Sequence, residues 1–386
     1  MTLLTGSQAA TFADLAYDTA AATDNSAATW RAKGSLAAAQ KKKGGCSADL
    51  TEFSTLTGFT GQSGAFSLRD TSGFGAVFER KNGGGGRDLV VAFRGSVSAS
   101  DWVSNFNFGM DRGPGDCIVH AGFNRIYTTF QDDLHHIIDA ARPETLHFVG
   151  HSLGGAMATL AMADYGLRGG AACRLYTFGT PRIGGFGLSS QLRRVLTPGT
   201  VRRVYSVSDP VPMLPVLPFQ HFAAGATGLD FGFTYITPRA HDRIQYRNRM
   251  PSSGWPAATP LAQKSDPDYW LGLAEKAQGF SALGYHALSM ALRGIMRMVN
   301  MAGLALSAGI TVLDRMVEAI HQGALLSKKI AETTLRFVKA ALRMCGRLAL
   351  RAAVTAADLT VEFLQTVFDM MLAPVRRSAL LALNAA

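Results

Sequence analysis

The sequence is poor in the features that mark several protein classes. Only four cysteines (Cys46, Cys117, Cys173 and Cys345) occur in 386 residues. They lie far apart, without metal-ligand spacing, and a chain of this size has no need of disulfide staples, so they are read as reduced and structural. Charged residues make up 17% of the chain, well below the usual quarter. The longest uncharged helical stretch in the C-terminal third, residues 298–313, falls short of the roughly twenty residues that cross a bilayer. The first residues, MTLLTGSQAATFADLAYD, lack both a basic n-region and a continuous apolar h-region, which argues against a cleaved secretory signal. No nucleic-acid-binding motif is present. Proline is missing from residues 268–373.

What the chain does have is 47% hydrophobic residues, enough for a sizeable core, and a net charge of +10. That charge suits an anionic surface such as phospholipid or nucleic acid, and charge alone does not choose between them. Residues 12–23 read as an alanine-rich helix. Residues 74–80 and 88–94 flank NGGGG and read as a hairpin. Residues 122–141 read as one amphipathic helix, 146–150 as a short buried strand, 156–167 as a helix of small residues, and 174–179 and 201–207 as strands. Strands alternating with helical segments predict an α/β fold with a mostly parallel sheet. The proline- and serine-rich residues 251–267 read as a linker between a catalytic α/β domain (1–250) and a C-terminal region (268–386) dominated by Ala, Leu, Met and Arg, which predicts an almost wholly helical extension.

One stretch carries chemistry. LHFVGHSLGGAMATL sets Ser152 between Gly150 and Gly154, with an apolar strand before it and small residues after. A serine hydroxyl is a poor nucleophile unless it is exposed, aligned with a base and uncrowded. A tight strand-to-helix turn of the form G-x-S-x-G meets those conditions. In that arrangement an acid and then a histidine follow the serine in the chain. Asp209, in SDPVP at the end of the strand 201–207, is the candidate acid, because the prolines stop the strand and fix the loop. Of the nine histidines, His221, His241, His286 and, in the helical tail, His321 follow it. His241, in RAHDRIQY, is favoured as base, His286 is the alternative, and His221 reads as structural.

Taken together these residues resemble the class 3 lipase family. The similarity extends over residues 12–246 and includes VVAFRGSVSASDW, VHAGF, FVGHSLGG, YTFGTPRIGG and SDPVPMLP. It looks strongest toward bacterial phospholipase A1 members exported without a cleaved leader. The resemblance implies an α/β-hydrolase fold, a triad of Ser152, Asp209 and His241, and an oxyanion hole built from the main-chain N–H groups of Ser96 and Leu153. It implies no metal and no organic cofactor. His120 and Arg182 match family motifs in positions expected to be structural. The family's lid position corresponds to residues 97–117, with Trp102, Phe106 and Phe108, and the apolar residues 213–222 suit an acyl-chain wall. The expected function is hydrolysis of lipid carboxylesters, foremost phospholipase A1 cleavage of glycerophospholipids. Triacylglycerol lipase activity, or a membrane- or partner-binding role for the tail, is the alternative. In the tail, Arg336, Lys339, Arg343, Arg347 and Arg351 form a basic stripe at helical spacing. It suits either an interfacial helix on phospholipid or the solvated face of a bundle, and a chaperone or secretion partner is a further expected occupant of the tail.

Overall fold

A computed structural model of the chain describes residues 3–41, 48–63, 70–81, 87–96, 109–196, 200–215, 219–221, 225–256, 266–302 and 312–384. A seven-stranded sheet runs β1 (Phe53–Ser63), β2 (Asp70–Arg80), β3 (Asp88–Phe93), β6 (Thr145–His151), β7 (Ala172–Phe178), β8 (Val201–Ser206), β9 (Ala226–Leu229). The first three strands are antiparallel, and from β3 onward every pairing is parallel. The short ribbon β4 (Met110–Arg112) and β5 (Ile118–His120) stands apart from this sheet. The mostly parallel sheet expected from the alternation is therefore present, with an antiparallel edge in front of it. Strands β2 and β3 pair as the expected hairpin, while its turn, NGGGG, lies outside the described residues.

Burial explains the strand sequences. All seven residues of β6 are buried, as are five of the six in β3, because both faces of the parallel part are covered. Alternate side chains go to different layers. Leu89, Val91, Phe93, Leu146 and Phe148 join one core cluster, and Val90, Ala92 and Val149 join the other. The first layer contains α5 (Leu153–Arg168), whose alanines let it lie close on the sheet, and the second contains α1 (Gly6–Leu15).

Several expectations are corrected in detail. Helix α1 starts at Gly6, six residues before the predicted start, because Thr5 and Gln8 form a reciprocal capping box at its N-terminus. It gives way to a 3-10 turn over Ala16–Thr19. A second helix, α2 (Asn25–Lys41), follows where no element was predicted. The single helix expected over 122–141 is two, α3 (Ala121–Thr128) and α4 (Gln131–Ala141). The break falls at Phe130, whose ring packs 5.3 to 6.0 Å from those of Phe74, Phe59 and Phe93. Burying that ring wins over helical continuity.

Beyond α6 (Phe186–Val195) and α7 (Arg243–Asn248) the described chain is helical as expected. It comprises α8 (Pro267–Lys276), α9 (Ala282–Met301), α10 (Val312–Leu326), α11 (Lys328–Met344), α12 (Leu348–Ala353) and α13 (Val361–Asn384). Their apolar faces share the first core cluster, where Trp270, Leu288, Phe337 and Leu372 join Phe148 and Leu160. The basic stripe is not carried on one helix. Gly346, at φ 73°, ends α11 in the left-handed conformation that favours glycine, so Arg347 and Arg351 lie beyond it. Arg336 is bound at 2.5 Å to Asp268 and 3.0 Å to Glu275, and Arg343 donates to the Glu275 carbonyl. Two of the five cations are thus spent on joining α11 to α8. Among the described residues, no helix is long and apolar enough to cross a membrane. Cys117, Cys173 and Cys345 are free thiols.

Candidate active site

The site forms where β6 turns into α5. Ser152 sits in that turn at φ 58°, ψ −129°, a conformation costly for a residue with a Cβ, of order 1–3 kcal/mol, and held here by its surroundings. Its N–H donates to Phe178 O at 2.9 Å on the neighbouring strand, and its carbonyl accepts from Gly155 N at 3.0 Å. Two glycines make the turn possible. A Cβ on Gly150 would fall 2.2 Å from the Gly154 backbone, and one on Gly154 would fall 2.2 Å from Phe93 O. The helix can therefore start directly against β3 and β6 only with glycine at both places. A mostly parallel sheet with a strained serine on a strand-to-helix elbow is the α/β-hydrolase fold.

The later loops deliver the partners. Asp209 follows β8 and is fully buried, and the 3-10 turn Pro238–His241 presents His241, itself 1% exposed. Ser152 Oγ lies 2.8 Å from His241 Nε2, and His241 Nδ1 lies 2.9 and 3.0 Å from the two Asp209 oxygens. An ionised carboxylate only accepts, so Nδ1 carries the proton and Nε2 is left to accept from the serine hydroxyl. That tautomer is the one a general base needs. The structure thus brings Ser152, His241 and Asp209 into one chain of hydrogen bonds. His286 is not part of it. It is packed against Trp270 in the helical region with an unpartnered buried Nε2, and burial lowers its pKa to about 4. His221 donates from Nε2 to Pro212 O at 2.6 Å, in keeping with a structural role.

Three residues with no role assigned from sequence complete the site. Tyr246 donates to Asp209 Oδ2 at 2.6 Å and accepts from Ser206 N at 3.0 Å, while Val211 N donates to Asp209 Oδ1 at 2.9 Å. The buried carboxylate thus has three donors. Burial and the adjacent Asp209 charge push the Tyr246 phenol well above its ordinary pKa, so it stays a donor. His151, beside the serine, lies 3.0 Å from His241 O through Nε2. A carbonyl cannot donate, so Nε2 holds the proton and Nδ1 accepts from Tyr17 OH at 2.8 Å. Burial first, then the neighbouring His241 and Arg243, hold the His151 pKa far below the usual value. This neutral imidazole grips the backbone of the catalytic turn. The spacing of His241 and Tyr246 was visible in the sequence; nothing local marks His151 or Tyr17.

Ser96 is buried three residues beyond the end of β3, on the strand that α5 packs against, and Leu153, also buried, opens α5. Arg94 fixes the segment between. Its guanidinium lies 4.5 Å over the Phe74 ring and donates to Gly95 O at 2.7 Å, to Ser72 Oγ at 2.5 Å and to Gly73 O. Burial lowers its pKa to about 10. Residues 97–108, most of the expected lid with Trp102, Phe106 and Phe108, lie outside the described residues, as do 216–218 and 222 of the expected acyl wall. His120 is buried, with its ring 4.5 Å from that of Phe123. Among the described residues no cluster of His, Cys, Asp and Glu is arranged to hold a metal.

The family model "Lipase (class 3)" matches residues 90–219. A secreted mono- and diacylglycerol lipase 1 of Fusarium solani is 38% identical over 140 residues, covering 34% of this chain and 41% of that protein. Phospholipase A1-II 6 of Oryza sativa subsp. japonica is 28% identical over 210 residues, covering 45% of this chain and 51% of that protein. The chain thus spans about half the length, or less, of these curated relatives. The crystal structure of a mono- and diacylglycerol lipase from Aspergillus oryzae aligns with a TM-score of 0.43 at 24% identity, over 61% of this chain and 83% of that one. The matched residues run from β3 through the elbow and Asp209, so the part of the chain that carries the serine and the acid is similar to the class 3 lipase family.

Proposed function

We propose that the protein is a serine carboxylester hydrolase acting on lipids. The observation that carries this reading is the hydrogen-bonded chain from Ser152 through His241 to Asp209, with the serine on a strained elbow. Ser152 Oγ attacks the ester carbonyl while His241 Nε2 takes its proton, and the resulting imidazolium is held by Asp209. The tetrahedral oxyanion is received by the N–H groups of Leu153 and Ser96, donors fixed before the charge appears. Collapse expels the alcohol, protonated by His241, and leaves an acyl-enzyme. Water, deprotonated by the same imidazole, then releases the fatty acid. No metal or organic cofactor takes part in this sequence.

Glycerophospholipid is the foremost substrate, cleaved as by a phospholipase A1. The rice relative carries that name, and a net charge of +10 favours an anionic lipid surface. Mono- or diacylglycerol is the second reading, favoured by the name of the Fusarium relative, whose word "secreted" also supports action outside the cell. Purified protein and its Ser152→Ala variant, given phospholipid vesicles labelled at either acyl position and emulsified diacylglycerol, test the reading. Fatty acid released from the first acyl position by the parent and not by Ser152→Ala is the expected result. Release from diacylglycerol alone would move the assignment to the second substrate, and no Ser152-dependent release from any ester would end it.

A further inference from the structure

Near β8, three guanidinium groups lie within electrostatic reach of one another with no acid among the described residues to answer them. Arg182 follows β7, Arg203 lies in β8 and Arg293 in α9. Each lies within electrostatic reach of another of the three, and no carboxylate acts on any of them. Their hydrogen bonding is thin. Arg182 Nη1 reaches Pro215 O at 3.4 Å, Arg293 Nη1 reaches Met290 Sδ at 3.9 Å, and the Arg203 guanidinium lies 4.5 Å over the Tyr205 ring. The Nε groups of Arg182 and Arg203 are buried without a partner. Desolvation, with their mutual repulsion, lowers the Arg182 pKa to about 9 and that of Arg203 to about 10.

Buried cations without counter-charge are costly, several kcal/mol each, and are retained where something answers them. Arg203 borders a small, partly open cleft of mixed lining, with Thr177, Thr180, Ser189 and Gln220 among its polar residues and Leu175, Ile183, Leu188, Leu192 and Val201 among its apolar ones. The hydroxyls and the Gln220 amide can donate hydrogen bonds, the His221 N–H being already given to Pro212 O, and no residue of the lining is acidic. The cleft therefore sets a guanidinium and a few donors beside an apolar wall, with no opposing negative charge.

We propose that Arg203, backed by Arg182 and Arg293, forms an anion site in this cleft that takes a phosphate group, either free or as the phosphodiester of a lipid headgroup. Arginine's planar fork suits phosphate, and charge-assisted bonds to it are about twice as strong as neutral ones. Arg293 gives the helical extension a part in ligand binding that the α/β region alone does not supply. Through Arg182, whose N–H donates to Leu214 O at 2.8 Å, the site is joined to the segment that follows Asp209.

Calorimetric titration of the full chain at fixed ionic strength, with inorganic phosphate and with glycerophosphocholine as the acyl-free headgroup, tests this. Neither probe carries an acyl ester, so the outcome is independent of whether the protein hydrolyses lipids. Saturable binding of at least one probe, one per chain, weakened about tenfold or more in Arg203→Gln and in Arg293→Gln and less in Arg203→Lys, is expected. Binding of phosphate alone identifies a free-phosphate site, and binding of glycerophosphocholine in competition with phosphate identifies a headgroup site. Failure of the parent protein to bind either probe, or binding unchanged in both glutamine variants, would overturn the proposal.

Discussion

Replacing Tyr246 by Phe removes one oxygen and leaves the ring packed against Phe231, 4.9 Å away, and Phe178, 6.4 Å away. Two consequences follow from the two hydrogen bonds of that oxygen. The buried Ser206 N–H loses its acceptor, and Asp209 loses one of three donors. An orphaned buried donor costs about 1–3 kcal/mol and a charge-assisted bond about 1.5–3 kcal/mol, so a stability loss of about 2–4 kcal/mol is expected, the two terms being coupled. The catalytic effect has a definite sign. Held by two donors in place of three, Asp209 fixes the His241 ring less firmly against Ser152, and kcat/KM falls. At the alkaline plateau the rate falls by no more than about tenfold, since Val211 N and His241 still hold the carboxylate. A soluble nitrophenyl ester followed from pH 5 to 9, alongside thermal unfolding, reads both effects without an interface. An unchanged kcat/KM together with an unchanged Tm would refute the assignment of Tyr246 as support for the carboxylate.

Four further outcomes are expected. Ser152→Ala lowers kcat on any ester by at least about 10⁴-fold while leaving the far-ultraviolet circular dichroism unchanged. His241→Ala shows a similar loss, whereas His286→Ala keeps kcat within about threefold of the parent and loses stability instead; equal losses in both would contradict the geometry. Gly154→Ala must press a methyl against Phe93 O, and a drop in stability of about 2–4 kcal/mol, measured by urea denaturation, is expected. His147 and His151 are buried and His221 and His286 half-buried, all four desolvated and with depressed pKa values, about 3 for His147 and about 4 for His286. Below pH 6.5 the unfolded chain protonates them and the folded chain does not. Stability is therefore lost as pH falls from about 6.5, by up to about 1.4 kcal/mol per pH unit per histidine, and a Tm that holds steady from pH 7 to 5 would contradict their burial as neutral rings.

The elbow was legible because its constraints are local: Gly150 and Gly154 are dictated by backbone atoms within a few ångströms, and the apolar strand and small-residue helix flank them in sequence. Asp209 was legible for a similar reason, standing where a strand meets two prolines. The residues that position the triad were not. His151 acts through Tyr17, 134 residues earlier, and through the His241 carbonyl, 90 residues later. No periodicity encodes such a link. Strand β1, FSTLTGFTGQS, has no counterpart among the elements read from the sequence, because its glycines serve close packing, with a Cβ on Gly58 falling 2.4 Å from the backbone of Ala28 in α2. The basic stripe misleads for the opposite reason. Its spacing is real, but the partners that claim Arg336, Asp268 and Glu275, come from a different helix.

That pairing bears on what the helical extension is for. Helix α11 buries Ile330, Phe337, Val338 and Ala341, and Phe337 packs 5.6 Å from Phe368 of α13. Its apolar face is occupied within the protein and cannot also lie among acyl chains without the bundle opening. Helix α13 rests on the turn Pro238–His241 and on the turn Val211–Met213, the two segments that carry or follow the catalytic imidazole and carboxylate. The Ala282 N–H at the start of α9 donates to Thr234 O, just upstream of the same histidine turn. Exposed leucines remain at the ends of the helices instead: Leu325 and Leu326 beside Lys328, and Leu348 and Leu350 beside Arg347 and Arg351. Among the described residues, the apolar surface that the extension leaves exposed lies at these ends and at Leu283, Met301, Leu380 and Leu381, while α13 and the start of α9 hold the segment that delivers His241 to Ser152.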